Sequence, residues 1–134
     1  FMFDEQISLA TRFDLPLIIH SVQATEDVTD LLKSHSKSRG VIHAYSGSIQ
    51  QAENLLKINF SFGFGNTLTN PQAYKLHDIV KFLPIESIVI ETDDHKNPDE
   101  LIQVAERVAR IKKLTVDEVI DQCDQNTRSI FNID

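Results

Sequence analysis

The chain has 134 residues, 41% hydrophobic and 25% charged, with a net charge of −7, which fits one globular domain or a part of one. The acidic balance argues against a broad nucleic-acid-binding surface, because phosphate contacts need clustered Lys and Arg; bound divalent cations can reverse the field at a mouth lined by carboxylates, so charge alone selects no substrate. The apolar runs fall short of the roughly 18 residues of a membrane span, and Cys123 is the only cysteine, so we expect no disulfide framework, no membrane and a cytoplasmic setting.

Helical and strand patterns alternate along the chain. The first residue is Phe1, not Met, and the chain runs straight into Phe3-Asp4-Glu5-Gln6-Ile7, so the expectation is a piece that begins inside a longer protein. Phe3–Phe13 reads as a helix with Phe3, Ile7, Leu9 and Ala10 on one face. Leu15–His20 reads as a strand, with Pro16 at its start where a missing amide is tolerated. Thr25–Lys33 is helical, with Val28, Leu31 and Leu32 on one side, and Gly40 leads into a second strand, Val41–Tyr45.

Ser48 and Gln51 form a capping box that opens a helix whose inner face is Ala52, Leu55 and Leu56. Phe60-Ser61-Phe62-Gly63-Phe64 alternates strictly, the mark of a third strand with its phenylalanines in the core rather than forming a base-stacking platform. Asn70-Pro71 predicts the start of a helix that runs to about Leu83, and Ser87–Thr92 is the fourth strand. Asn97, Pro98 and Glu100 predict a capped helix to about Lys113. Thr115 and Glu118 predict another to about Cys123, with a further turn or two in Asp124–Phe131.

This order, α-β-α-β-α-β-α-β-α-α with short connections, implies an α/β fold of parallel (β/α) units with right-handed crossovers. Four such strands fit an open doubly wound sheet or half of a closed eight-stranded barrel. The open sheet usually carries a glycine-rich phosphate turn after its first strand. Here that turn is Ser21-Val22-Gln23-Ala24, which favours the barrel.

Three apolar strands end in residue types that bind metals: His20, His43, and the run Glu91-Thr92-Asp93. Side chains at the carboxyl ends of parallel strands face the mouth where such folds do chemistry. Two imidazoles and a carboxylate there would make a divalent-metal site. A lone buried histidine is as often a satisfied core residue, but two in equivalent places reinforce each other. Glu91 and Asp93 leave the strand on the same face, so one can hold a metal while the other orients a ligand, or both can be solvated carboxylates. His35 and His77 read as surface histidines, and Asp94 and His95 as loop residues. Ser46 and Ser48 read as caps, Gly63 and Gly65 as places of close backbone approach, and Cys123 as a structural thiol.

The motifs Leu15-Pro16-Leu17-Ile18-Ile19-His20-Ser21, Val41-Ile42-His43-Ala44-Tyr45-Ser46-Gly47-Ser48, Phe62-Gly63-Phe64-Gly65-Asn66-Thr67 and Ile90-Glu91-Thr92-Asp93 stand in register over nearly the whole chain. They are similar to those of the TatD family of metal-dependent hydrolases, and Asn126-Thr127…Ile130-Phe131 fits that family's closing helix. The resemblance implies a (β/α)8 TIM-type barrel of which residues 1–134 form the second half, strands five to eight, with the N-terminal half absent. It implies that His20, His43 and Asp93 are metal ligands, that Asp93 is also the catalytic base, and that Glu91 has a supporting role. Family members are described as magnesium-dependent deoxyribonucleases, and related sites hold two divalent metals. The cofactor expected here is one or two Mg, Mn or Zn ions per complete site. Departures are clear: the family's opening His-x-His and mid-barrel glutamate are absent, Val22 replaces a frequent arginine, and the loop after Asp93 is short.

The expected function is therefore a divalent-metal-dependent hydrolase of phosphodiester bonds, with DNA or another ester as substrate. Two other readings remain at this point. The chain can be a catalytically incomplete fragment acting as a structural or assembly module, its open edges covered by the missing half, a second chain or a swapped copy. Alternatively, a flavodoxin-like domain would bind its ligand at a switch point of the sheet.

Overall fold

The computed structural model describes residues 2–21, 25–93 and 97–134. Val22, Gln23 and Ala24 of the first turn, and the loop residues Asp94 and His95, lie outside the described residues. The elements are α1 (Met2–Arg12), β1 (Leu17–His20), α2 (Thr25–Lys33), β2 (Gly40–His43), α3 (Ile49–Lys57), β3 (Phe60–Phe64), α4 (Tyr74–Phe82), β4 (Ile88–Ile90), α5 (Asp99–Lys112) and α6 (Val116–Phe131). Short 3-10 turns occupy Asn66–Thr69 and Ile85–Ser87.

The four strands form one parallel sheet in the order β1-β2-β3-β4. Sequential order has no switch point, so the flavodoxin-like alternative falls. Helices pack beside their chain neighbours, α2 on α3, α3 on α4, α4 on α5 and α5 on α6, as they do around the outside of a barrel.

Register partners point to the same face, so the sheet separates two rows of side chains. Ile19, Ile42, Phe62 and Ile88 form one row and are buried with the helices in the core. Phe60 and Phe64 join them, confirming the core reading of the alternating phenylalanines. Burial of each such ring contributes about 1.5–3 kcal/mol. The opposite face carries Ile18, His20, Val41, His43, Ser61 and Gly63, and Ile18 on the outer strand β1 is 66% exposed.

Several boundaries differ from the sequence expectation. Leu9 is 56% exposed while Ile7 and Ala10 are buried, so the inner face of α1 is narrower than four residues. Asn70 caps no helix: its Oδ1 accepts from the Gln72 amide in a local turn, and α4 starts only at Tyr74. No side-chain cap bond forms at α5, where Glu100 instead accepts the Thr92 hydroxyl. The capping boxes at Ser48 and Thr115 form as expected. α6 continues without a break through Cys123 to Phe131. Among the described residues no helix is long and apolar enough to cross a membrane.

α6 fastens the amino end of β4. Asn126 is buried, and its Nδ2 donates to the carbonyl oxygens of Ile85 and Ile88 at 2.8 Å each. Gln122 holds the amide's oxygen at 2.9 Å. The Ile85 carbonyl also accepts the Ile88 amide, but truncation would take this donor from the buried Ile88 carbonyl, at a cost of about 1–3 kcal/mol. Asn126→Ala should therefore lower the unfolding free energy by that amount, read as a lower urea midpoint with an unchanged slope; an unaltered midpoint would show that the latch carries no stability.

Cys123 is buried beside it, and burial pushes its thiol from an ordinary 9.0 up to about 11. A raised folded pKa gives stability that is complete below pH 9.0 and lost as the pH climbs through about 11. At pH near 8.5 the native thiol should alkylate roughly 100-fold more slowly than after unfolding in urea. Equal rates in the two states would contradict this burial.

Candidate metal centre at the strand ends

His20 closes β1 and His43 closes β2, and the parallel register makes them direct partners. Because Ile19 and Ile42 face the core, both imidazoles emerge on the other face at the carboxyl ends of the strands. Their ring centroids are 5.3 Å apart, with planes tilted by 36°. His20 is exposed, whereas the His43 side chain is only 19% exposed.

Glu91 follows β4, and its amide donates to the Phe64 carbonyl at 3.0 Å, carrying the pairing one residue past the strand. Its carboxylate has two partners. Oε1 accepts the Ala44 amide at 2.6 Å, and Oε2 lies 2.9 Å from His43 Nδ1. Ala44 has φ of 50°, a left-handed conformation uncommon outside glycine. The Glu91 tie on one side and the bond from the Tyr45 amide to the Gly63 carbonyl (3.0 Å) on the other hold it there. Glycine at position 63 leaves room for the Glu91 carboxylate, which an added Cβ would displace.

Asp93 completes the array. It is exposed, and its Oδ1 lies 3.3 Å from His43 Nε2. The imidazole thus sits between two carboxylates. A neutral ring has one N–H, and with that proton on Nδ1 facing Glu91, the Nε2 lone pair faces the Asp93 oxygen. A metal ion shared by the two acceptors, or a second proton on the ring, satisfies both. The donor chemistry, imidazole nitrogen plus carboxylate oxygen with a second carboxylate behind the imidazole, fits a divalent metal. The closure is incomplete: among the described residues no three His, Cys, Asp or Glu groups are placed to hold one ion. His20 reaches the rim beside His43 but makes no ion pair with Asp93 among those residues.

The sequence thus pointed to four residues, His20, His43, Glu91 and Asp93, that the fold gathers at one rim. His35 and His77 differ from their surface reading. His35 Nε2 pairs with Asp4 Oδ1 at 2.6 Å, and His77 Nε2 contacts the Leu68 carbonyl at 2.9 Å; both are half-buried struts between elements. Sequence reasoning missed the Ala44 amide, which has no side-chain signal. It also missed a cavity of about 350 Å3 that opens beside the rim between Asn66, Thr67, Glu91, Asp93 and Glu100. A larger cavity of about 420 Å3, between α2, the β2–α3 connection and Lys75, contains none of the four rim residues.

The family described as TatD related DNase matches residues 1–132. The metal-dependent hydrolase YjjV of Escherichia coli, described as uncharacterized, is 33% identical over 144 residues, spanning 98% of this chain and 56% of that protein. YabD of Bacillus subtilis, described in the same terms, is 33% identical over 145 residues, with 98% and 57% covered. A human protein named 3'-5' RNA nuclease TATDN2 is 26% identical and covers 98% of this chain and 20% of its own length. The crystal structure of YjjV superposes with a TM-score of 0.89 at 32% identity, covering 98% of this chain and 55% of that one. The chain spans about half the length of the curated bacterial relatives it matches. Both bacterial alignments exceed its 134 residues, so those relatives carry positions that it lacks.

Gly63→Ala tests the array directly. Displacing the Glu91 carboxylate should weaken Mn2+ binding roughly 10–100-fold, the usual cost of losing an orienting partner, and should shift the His43 ring-nitrogen NMR signals. Unchanged affinity together with unchanged signals would show that Glu91 does not orient His43.

Proposed function

Because the chain belongs to the TatD related DNase family, we propose that the protein is a divalent-metal-dependent hydrolase of phosphodiester bonds and that this chain supplies His20, His43 and Asp93 to its metal centre. The observation that carries the reading is the line Glu91–His43–Asp93, with contacts of 2.9 and 3.3 Å on the two sides of one imidazole. When bound, a Mg, Mn or Zn ion supplies Lewis acidity at a phosphoryl oxygen and lowers the pKa of a water.

The chain's own residues do the rest. Glu91 fixes the Nδ1–H tautomer of His43 and thereby aims the Nε2 lone pair at the rim. His20, one strand away, offers a second nitrogen on the same face. Asp93 is exposed at the mouth and free to accept a proton from an attacking water. The family's description and the printed name of the human relative both support nucleic acid as the substrate class. One or two ions at the rim would offset the carboxylates there and permit phosphate to approach. The lone, buried Cys123 is in keeping with a reducing, cytoplasmic setting. We also propose that the outer strands β1 and β4 meet further strands, from the rest of a longer protein or from a second chain, to close an eight-stranded barrel in which these four are the fifth to eighth.

A second reading, in which this chain is a structural or assembly module without a complete centre, is favoured by the absence of a three-group metal cage among the described residues. One experiment separates the two. Hydrolysis of bis(p-nitrophenyl) phosphate by the intact protein with Mn2+ or Mg2+ should be abolished by EDTA, and His43→Ala should reduce it by at least roughly 100-fold, beyond the cost of an orienting partner. Full activity in His43→Ala would remove the assignment.

A further inference from the structure

The cavity beside the rim points to more than the reacting atoms. We propose that the turn Asn66–Thr69 is a substrate-seating platform, with Asn66 and Thr67 as specificity-determining residues for the neutral sugar or base next to the scissile phosphodiester. The proposal rests on the phosphodiesterase reading above.

The turn is braced from several sides. Leu68 is fully buried in the core. His77 of α4 contacts the Leu68 carbonyl at 2.9 Å, and Arg107 of α5 donates to the Thr69 carbonyl at 3.1 Å. The Thr69 hydroxyl reaches both the main-chain oxygen and Oδ1 of Asn66, at 2.6 and 3.0 Å. Gly65 packs against Glu91, where a Cβ would stand 3.3 Å from its carbonyl. Asn66 and Thr67 themselves are exposed and line the cavity of about 350 Å3 that also reaches Glu91 and Asp93. Among the described residues the Thr67 hydroxyl makes no hydrogen bond. An exposed polar pair on a rigid turn can bind a ligand with little further loss of conformational entropy.

The lining also selects what enters. Glu91, Asp93 and Glu100 bring carboxylates to this cavity and disfavour a second phosphate. A neutral group that both donates and accepts hydrogen bonds matches an amide and a hydroxyl. The volume lies at the lower end of small-ligand sites, the scale of one sugar–base unit rather than an oligomer.

The test compares two substrates on the intact, Mn2+-loaded protein: thymidylyl-thymidine, which has sugars and bases, and methyl p-nitrophenyl phosphate, which has none. The double variant Asn66→Ala/Thr67→Val should raise KM for the dinucleoside phosphate roughly tenfold, the equivalent of about 1.4 kcal/mol. Its kcat should stay within about twofold, and kcat/KM for the small diester should not change. An unchanged KM for the dinucleoside phosphate, or an equal loss on both substrates, overturns the platform while leaving the phosphodiesterase reading intact. Failure of the unaltered protein to hydrolyse either substrate overturns both. The single variant Thr67→Ser, which keeps the hydroxyl, should retain the original KM, and a KM raised as far as in the double variant would also count against the platform.

Discussion

One carboxylate organises this site. Glu91 lies just past the last strand, yet it binds the backbone of residue 44 and the ring of residue 43, both at the end of the second. Bonds to an ionised acceptor are roughly twice as strong as neutral ones. Here two of them join the carboxyl ends of non-adjacent strands across β3, and β3 passes underneath with glycine where a side chain would intrude. The uncommon backbone of Ala44, the bare Gly63 and the aim of His43 all follow from this single placement.

The same arrangement explains how a sheet with one dry face offers polar chemistry on the other. The period of two along each strand sends isoleucine and phenylalanine into the helical layer and histidine to the opposite side. Parallel register then turns two strand ends, far apart in the chain, into neighbouring rings. No helix contributes any of the four rim residues. The helices stabilise the platform, and the ends of the strands carry the rim residues, the division of labour expected of (β/α) folds.

Much of this was legible in the sequence because it depends on periodicity. Strand positions, the core role of Phe60, Phe62 and Phe64, and the meeting of His20 with His43 follow from alternation and repeat length alone. The misses have a common physical cause. The absent caps at Asn70 and Asn97 failed because local cap chemistry competed with other partners: Gln72 for the first, and Thr92, bonded to Glu100, at the second. His35 and His77 looked solvated because they lie in polar helical stretches of the sequence, whereas their partners, Asp4 and Leu68, come from other elements. Ala44 contributes through its main chain, about which residue identity says nothing.

At the end of the sheet away from the histidines, Asn126 stitches the last helix to the carbonyls that precede and begin β4. Cohesion and the polar rim are thereby lodged at opposite poles of the same strands. Connections around the histidine pole can be trimmed or lengthened over generations without unpicking that seam. A lineage built this way can try out new rims cheaply, and relatives that align over more positions than this chain possesses are the kind of variation such a layout permits.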